Sequence, residues 1–287
     1  MMRRVCLIGG SGQLGHELRQ QAPVDWEIIA PSRVEFDMAA PERMLSSLTG
    51  LKPDLVINCS AFHAVDLCES RFLDALTVNA VAVLELARWA KKAGAPFVTF
   101  STDYVFDGVA RTPYVETAPV NPLQCYGISK VTGERAVQAD YPEGAIVIRS
   151  CGLYGHAASR QKGGNFVLNR LQDAATKSQI EVGSDLTCTP TSAADLAAGV
   201  LGLLGKKAPA GIYHLTNSGS CDWASFTTEI MRLKNKSMRV TPVDRRGAYA
   251  PARRPAYSVL DCGRAASLGV ALRPWQEALE AFLRDVD

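Results

Sequence analysis

At 287 residues the chain is long enough for one large domain or two small ones. Its 47% hydrophobic and 21% charged residues are the composition of a soluble globule, and a net charge of +2 gives no reason to invoke nucleic acid or a membrane surface. No apolar run approaches bilayer-spanning length, and the basic start Met1-Met2-Arg3-Arg4 is followed by only about five apolar residues, ending in glycines rather than a small-residue cleavage site. The eight cysteines (Cys6, Cys59, Cys68, Cys125, Cys151, Cys188, Cys221 and Cys262) show no CxxC and no metal spacing, so a cytoplasmic enzyme with reduced, packing cysteines is expected.

In chain order, short apolar runs alternate with helical patterns, which predicts an α/β fold on a doubly wound parallel sheet. Strands are expected at 4–8, 26–30, 54–59, 96–101 and 145–149, and helices at 12–21, 41–49, 66–92 and 126–139. The first strand feeds Gly9-Gly10-Ser11-Gly12-Gln13-Leu14-Gly15, with glycines spaced G-x-x-G-x-x-G. A strand, a glycine turn and a helix in succession present backbone N–H groups to a pyrophosphate. After the second strand, Ser32 stands where an acid would select NAD, and Arg33 offers a partner for a 2′-phosphate. NADP(H) is therefore the expected cofactor, with NADH as the alternative. The third strand ends at Asn58-Cys59-Ser60-Ala61, on the edge where such sheets bind nucleotides. Leu73, Leu76, Val83, Leu84, Leu86, Ala87 and Trp89 form a helical apolar stripe read as core packing.

The stretch from Ser101 to Glu134 carries the chemistry. Ser101 and Thr102 follow the apolar run Phe97-Val98-Thr99-Phe100, so their hydroxyls are expected at a strand end. Tyr126 and Lys130 are four apart, which on a helix places phenol and ammonium on one face. A nearby positive charge lowers a tyrosine pKa and makes the phenol a usable proton donor or acceptor.

From about residue 153 the pattern changes. Asn165-Phe166-Val167, a strand near Ile180-Glu181-Val182, and Thr189-Pro190-Thr191 are expected on the substrate side of the cleft. Ser192 to Asp195 reads as a capping box opening a helix to about 204 that packs back on the cofactor half. Gly211 to Leu215 reads as a strand. Asp222 starts a helix whose stripe of Trp223, Phe226, Ile230 and Leu233 reads as core rather than ligand site. Tyr249 to Pro255 is loop-like, with Arg253 and Arg254 available to a diphosphate, and Pro274-Trp275 opens an amphipathic last helix. The expected division is 1–152, with the returning helix 192–204, for the dinucleotide, and 153–287 mainly for the substrate.

Together these residues resemble the extended short-chain dehydrogenase/reductases and, within them, the dTDP-4-dehydrorhamnose reductase family. The resemblance rests on Gly9 to Gly15, Asn58 to Ala61, Ala64-Val65-Asp66 with Glu69, Val78-Asn79, Ser101 to Gly108, Tyr126-Gly127 with Ser129-Lys130 and Gly133-Glu134, Thr189-Pro190-Thr191, and Arg253-Arg254-Pro255. It implies a Rossmann-type domain with a smaller C-terminal α/β substrate-binding portion. It implies cofactor contacts from Gly9, Ser11, Gly12, Gln13, Leu14, Gly15, Ser32, Arg33, Asp37, Met38, Cys59, Ser60, Ala61, Asn79, Tyr126 and Lys130, with Asp37-Met38 against the adenine. Thr102, Tyr126 and Lys130 would be catalytic, and Val65, Asp103, Tyr104 and Arg254 would bind substrate. The implied reaction is NADPH-dependent reduction of the 4-keto group of a nucleotide-linked 6-deoxy sugar, foremost dTDP-4-dehydro-L-rhamnose.

Two residues depart from the family pattern. His63 stands where threonine is frequent, and Gly152 stands where a tryptophan commonly packs on the sugar. Tyr104 follows Asp103 where related dehydratases carry a second acid, and no cysteine sits where epimerase-reductases place one, so simple reduction is favoured. The alternative reading is a non-catalytic NADP-binding partner like the regulatory subunit of methionine adenosyltransferase, or a reductase of a different nucleotide ketosugar. A homodimer is possible. Glu17 lies near a position that carries an interfacial magnesium in some relatives, but one glutamate on an exposed helix face assigns no metal.

Overall fold

The computed structural model describes residues 2–157, 164–245 and 251–286. The first strand, β1 (Arg3–Ile8), carries the continuous buried run Val5 to Ile8, as a strand covered on both faces must. It is followed by α1 (Gln13–Gln20), β2 (Trp26–Ile29), α2 (Pro41–Leu51) and β3 (Leu55–Asn58). Then come α3 (Val65–Ser70), α4 (Phe72–Leu76), a wide turn of π type at Thr77–Val81, α5 (Ala82–Ala93), β4 (Phe97–Thr102), a 3-10 turn at Asp103–Val105, α6 (Cys125–Asp140) and β5 (Ala145–Ser150). The second half adds β6 (Leu153–Tyr154), α7 (Phe166–Thr176), β7 (Gln179–Gly183), β8 (Thr187–Cys188), β9 (Thr191–Ser192), α8 (Ala193–Gly205) and β10 (Gly211–His214). It ends with β11 (Cys221–Asp222), α9 (Trp223–Leu233), β12 (Arg239–Val243), α10 (Gly263–Ala266) and α11 (Trp275–Arg284).

The central sheet has the order β10-β5-β4-β3-β1-β2, and every pairing is parallel. Its order reverses between β1 and β3, so the crevice outside their C-terminal ends is the natural ligand site. One face is packed by Met44 and Leu48 of α2, Val83 and Leu86 of α5 and Val137 of α6. The other is packed by Leu14 and Leu18 of α1, Leu196 and Val200 of α8, and Ala265 of α10. The strand expected at 211–215 joins this sheet beyond β5, in register with Ile146 to Arg149. A separate apolar cluster joins Val167 of α7, Phe226 and Ile230 of α9, and Leu279 and Phe282 of α11, beside the parallel pair β7–β12.

The single helix expected over 66–92 is three helical pieces with a wide turn between the last two. Arg71, with φ −125° and ψ 45°, leaves helical geometry and separates α3 from α4. The wide turn carries Asn79, whose amide is fully engaged. Its Oδ1 accepts from Phe62 N at 2.8 Å, and its Nδ2 donates to Phe62 O and Ser129 Oγ, both at 2.9 Å. Periodicity reports the apolar face of such a segment, whereas the interruption comes from one polar side chain finding tertiary partners. Glu17, expected on an exposed face, is buried, and His156 Nδ1 lies 2.9 Å from its carboxylate. Of the Tyr249–Pro255 loop, Tyr249 and Ala250 lie outside the described residues.

Candidate active site

A cleft of about 630 Å³ opens along the C-terminal ends of the central strands. Its floor at one end is the glycine turn. Gly9 has φ +77°, and a Cβ there would stand 3.0 Å from the backbone of Cys59 and Ser60, so only glycine lets β1 turn against the end of β3. A Cβ on Gly15 would come within 2.3 Å of Gly9 O, which explains the third glycine as packing. Gly12 N donates to Gly9 O at 3.0 Å and closes the turn.

Gly9, Ser11, Gly12, Gln13, Leu14, Arg33, Asp37, Met38, Cys59, Ser60 and Ala61 all line the cleft. Three expected contacts do not. Gly15 packs behind the turn, and Asn79 spends its amide on Phe62 and Ser129 one layer back. Ser32 is held in a local box instead: its N–H donates to Glu35 Oε2 at 2.8 Å, and its Oγ accepts from Glu35 N at 3.4 Å. The bond from the Ser32 N–H, with the Ser32 side chain adding to it, holds the Glu35 carboxyl below the usual carboxylate range.

The catalytic candidates come from two elements. Thr102 closes β4, and its Oγ1 accepts from Tyr104 N at 3.2 Å while donating to Asp103 Oδ1 at 3.0 Å. Tyr126 and Lys130 lie in the first two turns of α6, on one face as the spacing requires. The start of that helix is fixed by Glu69 of α3, whose carboxylate accepts from Cys125 N at 2.8 Å. Thr102, Tyr126 and Lys130 line the same cleft as the glycine turn.

The electrostatics differ from the sequence-based expectation. Burial pushes the Tyr126 phenol up from its ordinary value, and the Asp103 carboxylate pushes it further, with the Thr102 side chain opposing. Lys130 is the group brought toward neutrality: burial lowers it to about 8, against the pull of Glu134. Glu134 offsets only part of that burial effect, and its carboxylate is committed to Arg149, at 2.9 and 2.7 Å, in a buried pair. A desolvated ammonium loses its own charge before it can acidify a neighbour. Tyr126 is therefore protonated at neutral pH, which is the state a proton donor needs.

Asp103 is buried and receives Ser258 Oγ at 2.6 Å, Cys151 Sγ at 3.0 Å and Thr102 Oγ1 at 3.0 Å. Burial raises its pKa against these hydrogen bonds. Tyr104 sets its ring edge-on to Tyr126 at 6.3 Å, and together with Val65 and His63 it lines the cleft. Arg254 is not part of the lining. Its guanidinium forms a bidentate pair with Asp66 at 2.7 and 2.8 Å and hydrogen-bonds Ala252 O, strapping the 251–255 segment to α3. Pro255 lines the cleft in its place. Trp223, Cys151, Cys188, Leu186 and Ser258 also line it, although the sequence marks none of them for the site. Trp223 packs against the same apolar cluster as Phe226 and Ile230, as its stripe implies, and at the start of α9 it also lines the cleft.

The donor set fits a dinucleotide. Gln13 Oε1, Ser101 Oγ and Ser150 Oγ are buried polar atoms of lining residues without a partner among the described residues, beside a glycine cradle at a parallel-sheet switch point. Parallel sheet, glycine turn and a Thr/Tyr/Lys set around one cleft define an oxidoreductase of the short-chain dehydrogenase/reductase class.

The model of the RmlD substrate binding domain family matches residues 2–287. The chain is 37% identical to the spore coat polysaccharide biosynthesis protein SpsK of Bacillus subtilis, over 99% of this chain and 98% of that one. It is 37% identical to a dTDP-4-dehydrorhamnose reductase of Streptomyces griseus, over 97% and 93%. The crystal structure of dTDP-4-dehydrorhamnose reductase from Bacillus anthracis in complex with NADP superposes with a TM-score of 0.93 at 30% identity, covering 100% of both chains. The chain belongs to the dTDP-4-dehydrorhamnose reductase family.

Proposed function

We infer that the chain is an NADPH-dependent reductase of the 4-keto group of a dTDP-linked 6-deoxy sugar, converting dTDP-4-dehydro-L-rhamnose to dTDP-L-rhamnose. The observation that carries this reading is the convergence of Thr102, Tyr126 and Lys130 on the cleft that holds the glycine turn. In this reading Gly9 to Leu14 and Cys59 to Ala61 hold the pyrophosphate and adenosine, Arg33 meets the 2′-phosphate, and bound NADPH supplies the hydride. Thr102 orients the ketone oxygen by turning its single O–H from Asp103 to that oxygen when the substrate binds. Tyr126 gives its proton to that oxygen, so the carbonyl becomes an alcohol with hydride on carbon and proton on oxygen. Lys130 holds the ribose and compensates the phenolate left behind. Asp103 directs the Thr102 hydroxyl, and Val65, Tyr104 and the Asp66–Arg254 strap shape the substrate entrance. The proposed division gives the six-stranded sheet and its helices to the dinucleotide, and α7, α9 and α11 with β7 and β12 to the sugar nucleotide.

No described helix is long and apolar enough to cross a membrane, and the described cysteines are unpaired. The reading is of a cytoplasmic enzyme, and light scattering decides between one copy and a homodimer. The decisive assay follows NADPH oxidation with dTDP-4-keto-6-deoxy-L-lyxo-hexulose. Turnover by the native protein, lost in Tyr126→Phe with NADPH binding retained, supports the reductase. Tight NADPH binding with no turnover of any dTDP-ketosugar would replace it by a non-catalytic dinucleotide-binding partner.

A further inference from the structure

The cleft has an aromatic wall that no local motif announces. Gly152 lies between β5 and β6 with φ +57°. A Cβ built there would meet Pro190 Cα, Thr189 O and Trp223 Cη2, each at 3.3 Å. The Trp223 indole therefore reaches from the start of α9 to the backbone of Gly152 and occupies the space a side chain at 152 would enter. Its approach is set locally. Asp222 caps α9, accepting from Ser225 N at 2.8 Å, and Trp223 is the first helical residue after that cap.

The indole is braced from behind. The Phe166 ring lies 4.5 Å from it at 42°, and the Phe226 ring lies 6.0 Å away, near perpendicular. Trp223 and Phe166 are half-buried and both line the cleft, whereas Phe226 is buried. Two aromatic rings thus look into a cleft whose catalytic groups sit on β4 and α6. The sheet order sets the end of β2, with Arg33, at one side and the end of β5, leading to Gly152, at the other. The wall is therefore at the end away from the adenosine. A rigid, apolar ring with one polar N–H suits the C–H face and methyl group of a deoxysugar, which has few hydroxyls to satisfy.

We propose that Trp223, backed by Phe166, is the specificity-determining wall of the sugar subsite, and that residue 152 is glycine because the indole takes its side-chain space. This rests on the reading of the chain as a nucleotide-sugar reductase. A side chain at 152 crowds the indole at 223, and at φ +57° a larger residue is strained even before it meets that ring.

The test is calorimetric titration of the NADP-loaded full chain with dTDP-L-rhamnose and, separately, with dTDP. The native protein is expected to bind the sugar nucleotide more tightly than dTDP. Trp223→Leu is expected to reduce that advantage by roughly 5- to 10-fold while the affinity for dTDP moves by less than about twofold. Trp223→Phe and Phe166→Leu, which disturb packing less, are expected to reduce it by roughly 2- to 3-fold and carry the test should Trp223→Leu not fold. An unchanged advantage in these variants, an equal loss for dTDP, or no advantage in the native protein overturns the wall. Failure of the native protein to oxidise NADPH with the ketosugar, alongside the expected binding pattern, overturns the reaction and leaves the wall standing.

Discussion

The two ends of the cleft are built by different means. The dinucleotide end is mostly main chain: Gly9 turning against Cys59 and Ser60, with side chains kept out by close approach. The proposed sugar end is mostly side chain: Asp103, Cys151, Ser258, Phe166 and Trp223, drawn from five separate segments. A main-chain site tolerates almost any neighbour but no Cβ, whereas a side-chain site can be retuned one residue at a time. The first suits a cofactor shared by many reactions; the second suits a substrate that differs between related enzymes.

Breaking the chemistry where the two ends meet should have the greatest consequence. Tyr126→Phe removes the proposed proton donor and is expected to lower kcat by roughly 10²- to 10⁴-fold with NADPH affinity unchanged, read by steady-state assay and fluorescence titration. The pH profile sharpens the assignment of Lys130. Its ammonium is present below about pH 8 and lost above it, so kcat/KM should fall on the alkaline side by up to about tenfold per pH unit, and Lys130→Met should remove that limb along with most activity. A profile flat to pH 10 would show that the lysine charge is not the one that matters.

At the dinucleotide end, Gly15→Ala places a methyl within 2.3 Å of Gly9 O, so the turn must shift. The expected result is roughly 1–3 kcal/mol lower stability and weaker NADPH binding, measured by denaturant melts and titration, with dTDP binding retained. Asp103→Asn leaves the shape of the sugar end but alters what Thr102 donates to. It should lower kcat roughly tenfold and shift the pH profile, leaving NADPH affinity unaffected. The mildest change is Glu35→Gln, which removes a carboxylate from the Ser32 N–H near Arg33. It should raise the preference for NADPH over NADH by about two- to threefold, read as the ratio of kcat/KM values.

Legibility followed the same division. The glycine spacing, the Ser101-Thr102 strand end and the Tyr126/Lys130 pair are local patterns, and the structure gathers them as their spacing implies. Asn79 was read as a cofactor contact, yet it acts behind the cleft, because a buried amide goes to whatever backbone lies unpaired nearby, here Phe62. Trp223 reads as core because its i+3 and i+7 partners are core, and it does pack on their cluster; periodicity cannot show that the first residue of a stripe also borders the cleft.

The sequence by itself determined the alternating parallel sheet, the dinucleotide turn and the acid that would protonate a ketone, since each depends on neighbours within a few residues. Only the tertiary structure decided that Asp103 is gripped by Ser258, that Arg254 is tied to Asp66 and that an indole reaches the bare backbone of Gly152. Those are contacts between residues tens to more than a hundred positions apart. They are set by how helices and loops settle on the finished sheet, and local periodicity carries no record of that.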